Sequence, residues 1–465
     1  MSDLVVVSNR GPASFRVGED GGLEVHQSAG GLAPSLLNAL ADVDALWIAA
    51  TMTEGDRRAA REGIPGELVG GTALRLIDVP GEVSDAAYRV VANGTLWFLT
   101  HGLFDLPHRP FFDRRWHEAW EGYRAYNRLF AEEVARHASE GAVVVVNDYH
   151  LFLAGRDLAE LRPDLRTVHF THTPFPSPAE LGILPEAVAR ELLAGMASYG
   201  ACGFHTGRWA DAFVNCAAHL IGAAPVVFAA PLGSDPAALE EIASSSACAT
   251  ARAALEERLA GRQLVFRADR VELSKNLLRG FLAFEELLET EPRWRERAVF
   301  VARAYPSRQD LPEYLAYRAE VETLVARIND RFAAAAGPPV LLEVEDDFAA
   351  SVAALTRYDV LLVNPVRDGM NLVAKEGPIV NRADGVLALS RDAGAWAELS
   401  SEALMVEPYD VSGTAAALRS ALNMSGSERK RRAAALRELA PGLAPARWFS
   451  RVVAEARRAA PPPGR

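Results

Sequence analysis

The sequence is poor in the residues that announce a metal site, a disulfide scaffold or a membrane anchor. Its three cysteines, Cys202, Cys216 and Cys248, form neither a ligand spacing nor a pairing framework. No apolar run approaches the length of a bilayer span. The opening MSDLVVVSNRG has no basic stretch and no long apolar centre, so it does not read as a signal peptide. These absences point to a reducing, cytoplasmic setting and to no membrane partner. A basic surplus is missing too. The 49 Lys+Arg against 61 Asp+Glu leave a formal charge of −12, which argues against nucleic acid or an anionic surface as partner. An anionic ligand would have to be held by a few local cations. The basic cluster ERKRR (428–432) fits a solvated helix face.

What is present is an α/β pattern. With 465 residues, the chain is too long for one ordinary core, so two domains are expected. Short apolar runs alternate with helical patterns. In the first half they are LVVVS (4–8), ALWIA (45–49), TLWFL (95–99), AVVVV (142–146), TVHF (167–170) and PVVFA (225–229). In the second half they are LVF (264–266), AVFVA (298–302), VLLEV (340–344), DVLLV (359–363), VLAL (386–389) and ALMV (403–406). Runs apolar throughout suit parallel sheets covered on both faces, in doubly wound domains. Two helical stripes stand out: Tyr317, Val321, Leu324, Val325 and Ile328, and Trp116, Trp120, Tyr123 and Phe130. Both read as core faces. The turn-rich APLGSDP (230–236) marks a boundary and a natural hinge. The expected division is 1–235, 236–440, and a C-terminal helix with a disordered tail over 441–465. No short repeat is visible.

Ligands of open α/β sheets bind beyond the C-terminal strand ends, so residues just past strands carry the functional reading. VRDGMNLVAKE (366–376) follows YDVLLVNP. A helix starting near Met370 or Asn371 would aim free N–H groups and the positive dipole end at an anion. Gly369 lets the backbone come close, and Glu376 could accept two hydrogen bonds from a ribose diol. The same stretch also fits Asp368 as a plain helix cap with Lys375 and Glu376 exposed. In FRADRVELSKN, Arg270 and Lys275 suit a diphosphate, or ordinary surface charge. SAGGLAPSL (28–36) fits either a second phosphate cradle or a simple turn. Arg10 follows the first strand, Asp148 and His150 follow AVVVV, and His172 follows TVHF. The single Asp-x-Asp, Asp42 to Asp44, precedes a strand and so lies at the wrong edge for a metal-nucleotide site.

Taken in order, LVVVSNR, SAGGL, NDYHLF, HTPFPSP, DRVELSKN, YPSR, RDGMNLVAKE, LSRDAGAWAEL and VEPYDV resemble the trehalose-6-phosphate synthase family of retaining glycosyltransferases. The resemblance runs from about Leu4 to about Trp448. It implies a GT-B fold, two Rossmann-like doubly wound domains facing across a cleft. The first would bind the acceptor and the second the nucleotide sugar. It implies transfer of glucose from a nucleotide-glucose co-substrate to glucose 6-phosphate, with retention and without a metal or other cofactor. By motif, Arg270 and Lys275 would hold the donor diphosphate, with Gly31 and the Leu372–Val373 backbone nearby. Glu376 would bind the ribose and Phe348 would lie beside the base. Asp368, Met370 and Asn371 would hold the transferred sugar, with His172 close to it. Arg10, Tyr88, Trp97, Asp148 and Arg308 would surround the acceptor, the two arginines on its phosphate. The departures are Ala50 where the family carries tryptophan, Asn147 in place of histidine, Asn276 in place of glycine, and AKEGPIVN in place of AKEYVA. The last two resemble pseudo-glycosyltransferases that couple aminocyclitol phosphates. Two other readings stand beside transfer to glucose 6-phosphate: another phosphorylated acceptor, and a catalytically silent sugar-phosphate sensor. The donor base (UDP, GDP or ADP) and a homo-oligomeric state stay open.

Overall fold

The computed structural model describes residues 1–18, 21–27, 37, 39–40, 43–63, 67–68 and 72–459. The chain divides into two compact units, 1–232 with 445–465, and 233–444.

The first unit is built on strands β1 (Ser2–Val7), β4 (Leu46–Ala50), β5 (Glu67–Leu68), β6 (Thr72–Ile77), β7 (Ala138–Asn147), β8 (Arg166–Thr171), β9 (Ala201–Phe204) and β10 (Val227–Ala229). Their order across the sheet is β10-β9-β8-β7-β1-β4-β6-β5. All neighbours pair in parallel except β5, which runs antiparallel to β6. A hairpin of β2 (Ala13–Val17) and β3 (Leu23–Gln27) stands apart from it. The central strands have no polar face: Val5, Val6, Val144, Val145 and Val146 are all fully buried. That pattern explains why β1 and β7 pair in register from Leu4 with Val143 to Val7 with Val146. The helix Pro445–Arg458 returns to this unit. Trp448 anchors it there, its buried indole N–H donating to Ala230 O at 3.0 Å.

The second unit carries β11 (Gln263–Arg270), β12 (Ala298–Tyr305), β13 (Val340–Glu343), β14 (Val360–Val363), β15 (Val386–Ser390) and β16 (Leu404–Val406). These form one parallel sheet in the order β13-β12-β11-β14-β15-β16. Alternate residues feed two cores. Val265, Phe300 and Leu362 belong to one, and Leu264, Phe266, Val301 and Leu361 to the other. Period-two alternation between two covered faces explains the unbroken apolar runs.

Counted from its own first strand, the second sheet runs 3-2-1-4-5-6, the dinucleotide-fold order. The seven parallel strands of the first, leaving out the antiparallel β5, run the same way with a seventh strand added at the far edge, and each sheet has its reversal beside strand one. The reversal lies between β1 and β7 in the first unit and between β11 and β14 in the second. The GT-B expectation of two Rossmann-like sheets holds. Both helical stripes are core faces, on helices Arg114–His137 and Pro312–Arg331. One expected strand is wrong. TLWFL forms no strand: Thr95 and Leu96 end a π-helical stretch, Asp85–Leu96, and Trp97 opens the helix Trp97–His101. A short apolar run does not distinguish a buried strand from a buried helix. Strands β2, β3, β5, β6 and β9 were not expected, being short or interrupted by polar residues. No helix among the described residues is long and apolar enough to cross a membrane.

Candidate active site

In the second unit, the two strands flanking the reversal deliver the candidate residues. Arg270 is the last residue of β11, and the loop after β14 carries Asp368. Arg270 places a guanidinium nitrogen 3.0 Å from Oε2 of Glu272. Arg308 approaches the same oxygen at 3.5 Å, and Arg308 also donates to the Tyr314 hydroxyl at 2.5 Å. Glu272 is fully buried, and its other oxygen accepts from Ser274 Oγ at 2.6 Å. Burial disfavours the Arg270 charge most strongly, but Glu272, together with Tyr305 and Tyr314, holds the guanidinium above its ordinary range.

Lys275 lies one short turn further on. Its Nζ sits 2.5 Å from Asp368 Oδ2. Burial opposes this ammonium too, yet Asp368 and Asp269 together raise its pKa. The backbone of Lys275 is held from beneath: buried Arg267 donates to Lys275 O at 2.7 Å and to Asp269 Oδ2 at 2.7 and 3.1 Å. Arg267 and Asp269 are two apart on β11 and therefore share a face.

The Asp368 loop is braced by its neighbour. Asp368 N donates to Asp392 O, Gly394 N to Asp368 O, and Ala395 N to Met370 O, at 3.1, 3.1 and 2.8 Å. A Cβ at residue 394 would lie 1.9 Å from Gly369 O, so only glycine lets the two loops meet. Asn371 adopts φ +76° and donates to Asp368 Oδ2 at 3.2 Å. This left-handed residue delays the helix, which runs Val373–Val380 rather than starting near Met370. Leu372 caps it, and Val373 leads with an N–H that has no partner in the helix. The Met370 side chain is 3% exposed and packs in the core, away from the loop surface. Phe348 opens the helix Phe348–Leu355 and packs partly against the same core.

Glu376 is half-buried, and burial pushes its carboxyl up to about 7. Lys375 is not exposed: its Nζ is fully buried 2.6 Å from Glu398 Oε2, and burial lowers its pKa.

In the first unit, Arg10 follows β1 and donates to the Tyr88 hydroxyl at 2.8 Å. Tyr88 sits in the π-helical stretch and stacks on His150, ring centroids 5.8 Å apart at 15°. Trp97 stacks on His101 at 3.9 Å and tilts against Tyr149 at 5.5 Å. π-helical turns recur at functional sites, and this one presents Tyr88 to Arg10. Asp148, after β7, holds φ +71°, and its Oδ1 accepts from His172 N at 3.2 Å. The His172 ring contacts Asn147 Oδ1 at 3.2 Å and His205 Nε2 at 3.1 Å. Burial, with His205 and His169 nearby, holds it well below the ordinary imidazole range. Gly31, with all of SAGGLAPSL, and Asp42 lie outside the described residues.

Sequence reasoning missed Glu272, the Arg267–Asp269 pair and His205. The signal for the pair was charge inside an otherwise apolar strand. Glu272 and His205 had none stronger than proximity to a strand end. The unusual asparagines also find local explanations. Asn276 adopts φ +59°, a conformation that favours glycine, and its buried amide donates to Asn364 O and Pro408 O at 3.0 and 2.7 Å. Asn381 ends its helix by donating to Leu355 O and Tyr358 O and accepting from Ala383 N and Gly385 N. Both serve the fold, so the likeness to pseudo-glycosyltransferases gains no support from them. Among the described residues there is no group of three or more His, Cys, Asp or Glu able to hold a metal.

A sequence model of glycosyltransferase family 20 matches residues 2–458. The chain is 31% identical over 446 residues to the probable alpha,alpha-trehalose-phosphate synthase (UDP-forming) 2 of Arabidopsis thaliana. That match covers 92% of this chain and 54% of the plant protein, so the chain spans about half of that relative's length. The E. coli trehalose-6-phosphate structure bound with UDP-2-fluoro glucose superposes with a TM-score of 0.85 at 29% identity, covering 98% of this chain and 99% of that one. An alpha,alpha-trehalose-phosphate synthase (UDP-forming) from Burkholderia xenovorans in complex with glucose-6-phosphate gives 0.84 at 29%, covering 98% and 100%.

Proposed function

The chain belongs to glycosyltransferase family 20, and from that membership we propose that it transfers glucose from UDP-glucose to glucose 6-phosphate, forming trehalose 6-phosphate with retention. The observation that carries this reading is the cation set at the second reversal point: Arg270, Arg308 and Lys275 around Glu272 and Asp368. UDP is chosen as the leaving nucleotide because relatives named UDP-forming match the chain over nine-tenths of its length.

Breaking the bond between the glucose anomeric carbon and the diphosphate leaves negative charge on the phosphate oxygens. Arg270 and Lys275 are placed to meet it, already oriented by carboxylates, so little reorganisation accompanies the step. Val373 N–H and the start of its helix add positive potential. Asp368 and Asn371 take the transferred sugar, Glu376 the ribose, and Phe348 the side of the base. Arg10 and Arg308 grip the acceptor phosphate, with Tyr88, Trp97 and Asp148 around the acceptor sugar. The acceptor hydroxyl attacks on the face the diphosphate leaves, and its proton passes to the departing phosphate oxygen.

The test is a matrix of UDP-, GDP- and ADP-glucose against glucose 6-phosphate, glucose and an aminocyclitol phosphate, with product identified by NMR. The expected product is the α,α-linked trehalose 6-phosphate with release of UDP. Equal kcat/KM for glucose and glucose 6-phosphate would refute the two-arginine grip. A preference for the aminocyclitol phosphate would refute the acceptor, and no nucleotide release with any pair would leave a sensor.

A further inference from the structure

We propose that Asn147 and His205 lock His172 as a neutral imidazole with its proton on Nε2, so that they are positioning residues and neither His172 ring nitrogen exchanges a proton with substrate. The functional consequence rests on the transferase reading; the lock itself does not.

The argument starts at Asn147, the fully buried last residue of β7. Its Nδ2 lies 3.1 Å from Val7 O and 3.4 Å from Val145 O. Main-chain carbonyls only accept, so the amide orientation is determined and Oδ1 is the atom facing His172 Nε2 at 3.2 Å. A carbonyl oxygen cannot donate, which puts a proton on Nε2. On the other side, His172 Nδ1 and His205 Nε2 are 3.1 Å apart, and one proton must lie between them. A neutral His172 already protonated at Nε2 has a bare Nδ1, so His205 donates from its Nε2. His205 then has a bare Nδ1, and Leu232 N–H points at that atom from 3.4 Å. A main-chain N–H only donates, so the chain of bonds reads the same from either end.

Protonation breaks this order. A proton added to His172 Nδ1 would face His205 Nε2–H, unless His205 moved its own proton to Nδ1 and met Leu232 N–H. A proton added to His205 Nδ1 meets Leu232 N–H directly. The surroundings agree. Phe170 and Trp448 pack on the His172 ring at centroid distances of 4.9 and 5.7 Å. The neighbouring carboxylate, Asp148, takes the His172 main-chain N–H rather than the ring. His169, the other titratable neighbour, donates from Nε2 to Asp148 O and accepts the Thr171 hydroxyl at Nδ1 instead. Burial pushes His169 down to about 4. With both ring nitrogens committed, His172 serves the reaction by position, and the acceptor proton leaves by another route.

The test uses the full chain labelled with 15N-histidine, without substrate, and identifies each ring by single substitution. The expected spectrum shows His172 and His205 as Nε2–H tautomers that do not titrate between about pH 8 and 5.5. A His172 proton on Nδ1, or conversion to the cation in that range, overturns the lock whether or not the protein is a transferase. Two variants then test the functional consequence. His205→Gln retains a donor for His172 and an acceptor for Leu232, whereas His205→Leu retains neither. The leucine variant should lose about tenfold more kcat than the glutamine variant, the scale of one hydrogen bond, with donor KM little changed. Equal losses in both overturn the positioning role.

Discussion

The Arg270 guanidinium lies 3.0 Å from the carboxylate of Glu272, a side chain with no solvent exposure. The same oxygen is 3.5 Å from Arg308. Two cations assigned to different phosphates thus share one anion, which sets their spacing and cancels part of their repulsion.

Glu272→Gln keeps the shape of the side chain but removes that anion. The expected loss is roughly 1.5–3 kcal/mol, about 10- to 150-fold in kcat/KM, with KM raised for both donor and acceptor. Steady-state kinetics with each substrate varied checks this. An unchanged KM for either one would show that the two cations are held independently.

Arg270→Ala and Lys275→Ala should each fold and lose about 10²–10³ in kcat, the effect of removing one preorganised group that meets developing charge. Asp368 loses its ammonium in the second variant, so circular dichroism and a melting curve must accompany the rate. A folded variant with near wild-type turnover would remove that residue from the diphosphate site.

Burial pushes the Glu376 carboxyl up to about 7. Ribose hydroxyls donate, so the carboxylate is the form that accepts both bonds. The folded value lies above the ordinary one, so the carboxylate is lost as pH falls through 7. Donor Kd should therefore rise below pH 7, by up to about tenfold per unit, and level off above it. The sign for stability is the opposite. The protonated form favours the unliganded fold, and that contribution fades as pH rises through 7. Calorimetric titration of UDP-glucose measures the binding effect, and Glu376→Gln should flatten it. A slope that survives the substitution would place the titrating group elsewhere.

Asn276 separates a structural asparagine from a specificity residue. At φ +59°, alanine adds backbone strain and forfeits two buried hydrogen bonds, together roughly 2–4 kcal/mol. Glycine avoids the strain and loses only the bonds. Chemical denaturation should rank wild type, Asn276→Gly and Asn276→Ala in falling stability, with the acceptor preference unchanged. A switch of acceptor in the glycine variant would return this position to substrate selection.

Much of this protein follows from its sequence alone. Runs such as AVVVV (142–146) and VLLV (360–363) read as strands covered on both faces, because apolar, largely β-branched side chains fill every position. Their alternation with helical stripes implies two parallel sheets. Ligands gather beyond the strand ends, so Arg10, Asp148, Arg270 and Asp368 could be singled out from position in the sequence. What needed the tertiary structure is how charges and protons are arranged once distant segments meet. Glu272 is anonymous until Arg308, 36 positions away, comes to the same oxygen. Lys375 looks like an exposed helix residue until Glu398 buries it. TLWFL is apolar enough for a strand, and only its packing made it helical. The proton order of Asn147, His172, His205 and Leu232 has no trace in the sequence. It depends on which atoms can donate and which can only accept, and that is decided by three-dimensional contact.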